Sequence, residues 1–195
     1  MPAVRTPHAD SRLPKVLDEA ARLFRTRGFE GTSVREIAKA VGMLPGSLYC
    51  HFETKEALLV AVYVKGVQQI TDAVRAAIER ESQPWDRLEA ACVAHLESIL
   101  RDDDYAQVVV RVRPADVPVA HASLIELRNQ YEALFTELIA ELPLARSTDR
   151  RVLRLMLVGA MNSAQTWYRP DGRLTPRALA RKFIALLRQG QEVAV

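Results

Sequence analysis

Between Leu13 and Lys55 the chain stops and restarts a helix three times, with Gly28, Gly42 and Thr54 at the breaks. The apolar residues Val16, Leu17, Ala20, Ala21, Leu23 and Phe24 recur at helical spacing over Leu13–Arg27. Arg25 and Arg27 in the last turn, then Gly28, are stop signals. Ser33 with Glu36 three residues later is a capping box, and it opens a helix over Val34–Val41 whose core face is Val34, Ile37, Ala38 and Val41. Past Gly42, Pro45 suits a first helical position and opens a segment to His51, with Leu48 and Phe52 turned inward. Thr54 then caps a long helix beginning at Lys55, with Leu58, Leu59, Val62, Tyr63 and Val67 as core positions. Helices this short are marginal alone. Packed together, they predict a compact three-helix head on a helical stem.

The remainder also reads as helical. Ala, Leu, Val, Arg and Glu dominate and aromatics are only 6%, a composition that costs little on entering helices. One segment runs from Trp85 to Leu100 and is closed by Arg101-Asp102-Asp103-Asp104. Tyr105 to Arg113 carries Val108, Val109, Val110 and Val112, which would suit a strand. A lone strand finds no partner elsewhere in the chain, so this segment is expected to be a helix ended by Pro114. A loop over Pro114–Pro118 precedes helices over Ala122–Leu142, Asp149–Tyr168 and Thr175 to about Gln189. The expected fold is all-α. It has an arm at 1–11, a helix-turn-helix domain at 12–71 with its motif at 33–52, and a larger helical effector-binding and dimerisation domain at 72–195.

Charge separates the two parts. Residues 1–55 hold nine Lys and Arg against six Asp and Glu, which accounts for the whole net charge of +3. A basic head on a neutral body suits a nucleic-acid partner. Cys50 and Cys92 are far apart and form no C-x-x-C, as expected of reduced cysteines in a cytoplasmic protein. The first residues lack the apolar stretch of a signal peptide, and no uninterrupted apolar run approaches the ~20 residues that span a bilayer. The histidines His8, His51, His95 and His121 show no metal-protease spacing, and neither a nucleophile elbow nor a glycine-rich phosphate loop is present. The chain is therefore not read as an enzyme and is assigned no cofactor. Cys92 and His95 at i, i+3 leave open a metal- or redox-responsive regulator, and a helical interaction module without DNA binding is the other alternative.

A helix-turn-helix needs a residue tolerant of unusual backbone angles between its helices, a small residue where they cross, and a short amphipathic recognition helix. Gly42, Ala38 and the Pro45–His51 segment meet these demands. The run Gly31-Thr32-Ser33-Val34-Arg35-Glu36-Ile37-Ala38, then Gly42, Gly46-Ser47-Leu48-Tyr49-Cys50-His51-Phe52 and Lys55-Glu56-Ala57-Leu58-Leu59, resembles the DNA-binding head of the tetracycline-repressor (TetR) family. Ala20-Ala21-Arg22-Leu23-Phe24 with Gly28-Phe29 matches its first helix. The resemblance implies that Ser33 and Arg35 reach phosphate or a base edge. It puts Pro45, Gly46 and Ser47 nearest the bases, Tyr49 and His51 on phosphates, and Lys55 against the DNA backbone. Cys50, where a second aromatic is common, and the apolar pair Leu44-Pro45 depart from the family pattern.

A palindromic operator requires two copies about one DNA turn (~34 Å) apart, so a homodimer is expected. Its interface is placed on the last two helices, at Leu153, Leu157, Gly159, Ser163, Phe183 and Leu187, where small residues permit close helix approach. The resemblance further implies a repressor released by a small-molecule effector. The Trp167-Tyr168-x-Pro170-x-Gly172 ending is similar to a branch that includes acyl-coenzyme A-responsive regulators of lipid and steroid catabolism. Arg128, Asn162 and Trp167 are the expected effector contacts.

Overall fold

The computed structural model describes residues 12–192, so the expected arm at 1–11 lies outside the described residues. The head is α1 (Leu13–Arg27), α2 (Val34–Ala40) and α3 (Pro45–Tyr49). The body follows as α4 (Lys55–Ile78), α5 (Pro84–Ile99), α6 (Asp104–Arg111), α7 (His121–Ala140), α8 (Arg150–Ser163) and α9 (Pro176–Glu192). The described residues contain helices and turns and no strand. Side-chain caps fix several starts: Thr54 accepts from the Ala57 N–H at 3.0 Å, Asp103 from Ala106 at 2.8 Å and Asp149 from Val152 at 3.0 Å.

Two cores meet along α4. The head core gathers Val16, Ala20, Phe24, Ile37, Ala38 and Leu48 around Leu58, Leu59, Val62 and Tyr63 of α4. The body core packs Ile70, Val74 and Ile78 of the same helix against α5, α7, α8 and α9. The boundary expected at residue 71 thus falls inside a continuous helix. By length and composition alone α4 could cross a membrane, because both cores draw on its apolar residues.

The valine-rich segment forms helix α6, as pairing considerations predicted. It crosses α4 at Gly66, where a Cβ would stand 2.6 Å from Val109 Cγ2 and 2.9 Å from the Tyr105 carbonyl oxygen. Two details differ from the sequence reading. The 114–118 loop is wound into two short 3-10 turns, Pro114–Asp116 and Pro118–Ala120. The helix expected to reach Tyr168 ends at Ser163, followed by one 3-10 turn over Ala164–Thr166.

Candidate nucleic-acid interface and effector cavity

The head's geometry follows from its caps and from two glycines with positive φ, Gly28 (+75°) and Gly42. Ser33 Oγ accepts from the Glu36 N–H at 3.2 Å while Glu36 Oε2 accepts from the Ser33 N–H at 2.9 Å, completing the capping box. The Ser33 hydroxyl and backbone, followed by Arg27, hold the Glu36 carboxyl below its usual pKa. Gly42 takes φ +67°, which a side chain would strain, and turns the chain from α2 into α3. Leu48 is fully buried and pins α3 to the head. Around that anchor Gly46, Ser47, Tyr49 and His51 are exposed, Pro45 is half-buried, and Ser33 and Arg35 are exposed at the start of α2. A Cβ on Gly46 would meet nothing within 4 Å, so the face is open there. Leu44 is 76% exposed at the tip, and the Cys50 thiol donates back to the Gly46 carbonyl at 3.3 Å. Lys55 is half-buried, and its ammonium donates to the Phe29 carbonyl at 2.8 Å and lies 4.1 Å from the Phe29 ring centroid. It braces α4 against the α1–α2 turn.

Head and body are joined by a polar cluster. The Tyr105 hydroxyl of α6 donates to Asp18 of α1 at 2.6 Å and accepts from Lys65 of α4 at 2.8 Å. Lys65 also pairs with Asp18 at 3.0 Å. Arg25 of α1 pairs with Asp102 and, at 2.9 Å, with Asp104 at the start of α6. Tyr105 and Val108 of α6 are buried in the head core.

The other side of α6 lines a cavity of about 110 Å³. Val67, Ile70, Ile99, Val109, Val110 and Val158 make it apolar. Three helices contribute a buried polar chain, in which His95 Nδ1 lies 2.6 Å from the Tyr131 hydroxyl and Nε2 lies 3.1 Å from Asn162 Oδ1. Burial pulls the His95 pKa down to about 4, only partly offset by Asn162. A neutral imidazole beside an amide oxygen carries its proton on Nε2 and accepts from Tyr131 through Nδ1. Tyr63 also lines the cavity, is 1% exposed, and has its pKa pushed up to about 12 by burial. Its hydroxyl has no hydrogen-bond partner among the described residues.

Arg128 and Arg113 lie at the cavity wall, and the exposure of Arg113 (77% of its side chain) marks the mouth. Arg113 pairs with Asp116 at 2.9 Å and Glu132 with Arg154 of α8, whereas Arg128 forms no ion pair among the described residues. Of the three expected effector contacts, Arg128 and Asn162 are therefore at the cavity. Trp167 is not: it is 50% exposed, because α8 ends before reaching it. Tyr63, His95 and Tyr131 are cavity residues that helical periodicity marked only as core or left unassigned. The Cys92–His95 pair does not assemble as a metal site, since both ring nitrogens face other partners and burial pushes the Cys92 thiol pKa up.

Of the residues expected at a dimer interface, Gly159 and Ser163 are exposed, whereas Leu153 and Leu157 require correction. Leu153 and Leu157 are buried in the protomer's own core, and Phe183 and Leu187 pack half-buried against it. The outward stripe of α8 is Val152, Leu155, Met156, Gly159 and Ser163, of which the first three are each more than half exposed. Leu186 of α9 is 66% exposed.

Residues 16–62 match the model for bacterial regulatory proteins of the tetR family, and residues 81–191 match the tetracyclin repressor-like C-terminal domain. The HTH-type transcriptional repressor KstR2 of Mycobacterium tuberculosis is 29% identical over 188 residues, covering 93% of each chain. The structure of AibR in complex with isovaleryl coenzyme A and operator DNA superimposes with a TM-score of 0.77 at 26% identity, over 90% of this chain and 97% of that one. The superantigen PfiT gives 0.79 at 32% identity, over 91% and 96%. Together with the capped head and its exposed α3, these matches mean that the chain belongs to the tetR family of bacterial regulatory proteins and is a DNA-binding transcriptional regulator.

Proposed function

We propose that this regulator is a homodimeric repressor that leaves a palindromic operator when an acyl-coenzyme A thioester enters the cavity beside α6. The observation that carries the reading is the double role of α6. One face is buried in the head and tied to α1 through Tyr105–Asp18 and Arg25–Asp104; the other presents Val109 and Val110 to the cavity. A ligand favouring one position of α6 thereby biases the head, as differential binding requires. The apolar wall and the cationic Arg128 and Arg113 suit an acyl group on an anionic carrier. AibR, the relative crystallised with isovaleryl coenzyme A and operator DNA, and the repressor KstR2 support the same reading.

On DNA, Pro45, Gly46 and Ser47 approach base edges. Ser33, Arg35, Tyr49, His51 and Lys55 serve phosphates, with Ser33 and Lys55 also holding the head's shape. Dimerisation uses the outward stripe of α8 with Leu186 of α9. Fluorescence anisotropy on fragments selected from the source genome tests the reading. Affinity should fall steeply as salt rises, and thioesters should release the DNA where coenzyme A and free acids do not. If no thioester releases a specifically bound fragment, the effector assignment is wrong.

A further inference from the structure

Resting on that reading, we propose that the cavity selects a short acyl group of about four or five carbons, and that the Tyr63 hydroxyl donates to its carbonyl oxygen. Size is the first ground. A 150 Å³ apolar cavity holds the six carbons of benzene, so about 110 Å³ admits roughly four or five carbons by proportion, with the carbonyl oxygen and sulfur at the polar wall and mouth. A long acyl chain or a steroid nucleus does not fit without opening the body core. The second ground is the state of the polar groups. His95, Tyr131 and Asn162 Oδ1 satisfy one another, and Glu132 is neutralised by Arg154. Of the two lining hydroxyls, that of Tyr131 is bonded to His95, and that of Tyr63 has no partner among the described residues. A hydroxyl that opens on a mostly apolar cavity is satisfied by what enters the space before it. Since burial keeps Tyr63 protonated, it is a donor, and a thioester carbonyl is an acceptor. Arg128, which lies close enough to act on Tyr63 electrostatically, takes the anionic side of the carrier.

Calorimetry on the intact protein with acetyl-, isobutyryl-, isovaleryl-, octanoyl- and palmitoyl-coenzyme A reads the first part, and affinity should peak at the branched four- and five-carbon thioesters. Ile99→Ala, which removes a fully buried wall residue, should move the peak to longer chains. Tyr63→Phe keeps the ring in the core and should weaken the best thioester about tenfold. The matching thioether, which lacks the carbonyl, should bind both proteins alike. Palmitoyl-coenzyme A binding as tightly as isovaleryl-coenzyme A overturns the size selection while leaving the thioester reading intact. Equal losses for thioester and thioether overturn the role of Tyr63. If no thioester of any length binds, both the inference and the effector reading fall.

Discussion

His95 shows how a single buried ring couples the body to solution conditions. The folded state keeps it neutral, with its pKa near 4, while an unfolded histidine titrates near its ordinary value of 6.5. Between those two values the unfolded chain binds more protons. Stability is therefore fully present above about pH 6.5 and is lost as the pH falls toward about 4. The loss is on the order of 3 kcal/mol, readable as a falling urea midpoint across that window. A flat profile would mean that the ring accepts its proton inside the fold. Asp18 and Glu36, whose pKa values are lowered, add a loss of the same sign that sets in only as the pH falls through their ordinary values of 3.8 and 4.5, so the upper half of the window belongs to His95. Lys55 gives a second residue-scale prediction. Lys55→Ala should reduce affinity for specific and random DNA alike and lower the salt slope by about one. The lost contacts to Phe29 should also cost roughly 1 kcal/mol of stability. An unchanged salt slope would leave Lys55 as a brace only. Periodicity alone identified Tyr63 as core, because spacing counts the ring and is blind to where the hydroxyl ends. For His95, spacing offers only the neighbour Cys92, because its actual partners, Tyr131 and Asn162, lie 36 and 67 residues away in sequence.

At the scale of elements, α6 is the piece on which both halves depend, and Gly66 is what lets it approach. A methyl group there would collide with the Tyr105 carbonyl as well as with the Val109 side chain, so the helix backbone itself must give way. Gly66→Ala is expected to destabilise the protein by about 1–3 kcal/mol and to reduce effector-dependent release of DNA, since α6 is displaced in the absence of ligand. Urea unfolding and the anisotropy assay check the two effects; a variant with wild-type stability would mean that α6 has slack. The helical state of α6 was legible despite its valines, because a strand there would have had no neighbour. The orientation of α8 was not. Leu153 and Leu157 on one side and Val152, Leu155 and Met156 on the other are comparably apolar. Which stripe turns inward is decided by packing on α7 and α5, which the helix's own sequence does not encode. The head was legible almost throughout, since Ser33, Gly42, Thr54 and Leu48 each perform a local task with a local signature.

At the scale of the whole molecule, that uncovered stripe explains why a basic head alone would make a poor regulator. The chain carries a net charge of only +3, with the excess in its first 55 residues, so one head has few charges with which to hold phosphates against physiological salt. Joining two heads makes the second binding event intramolecular and raises affinity by about 10²–10⁴ without a new contact. An apolar face made of Val152, Leu155, Met156 and Leu186 is an aggregation liability on a lone protomer, and the proposed pairing with a second copy would cover it. Charges placed there should separate the copies without unfolding either. Leu155→Glu with Met156→Glu is expected to sediment as a monomer with a helical spectrum like the wild type's, and to lose about two to four orders of magnitude in operator affinity. Leu153→Glu, only two residues from Leu155 but facing the protomer's own core, should instead unfold the body, because it buries an unpaired charge. Sedimentation velocity and circular dichroism separate the two outcomes. A double variant that remains dimeric would move the interface away from α8, and with it the lever by which the body sets the spacing of the two heads.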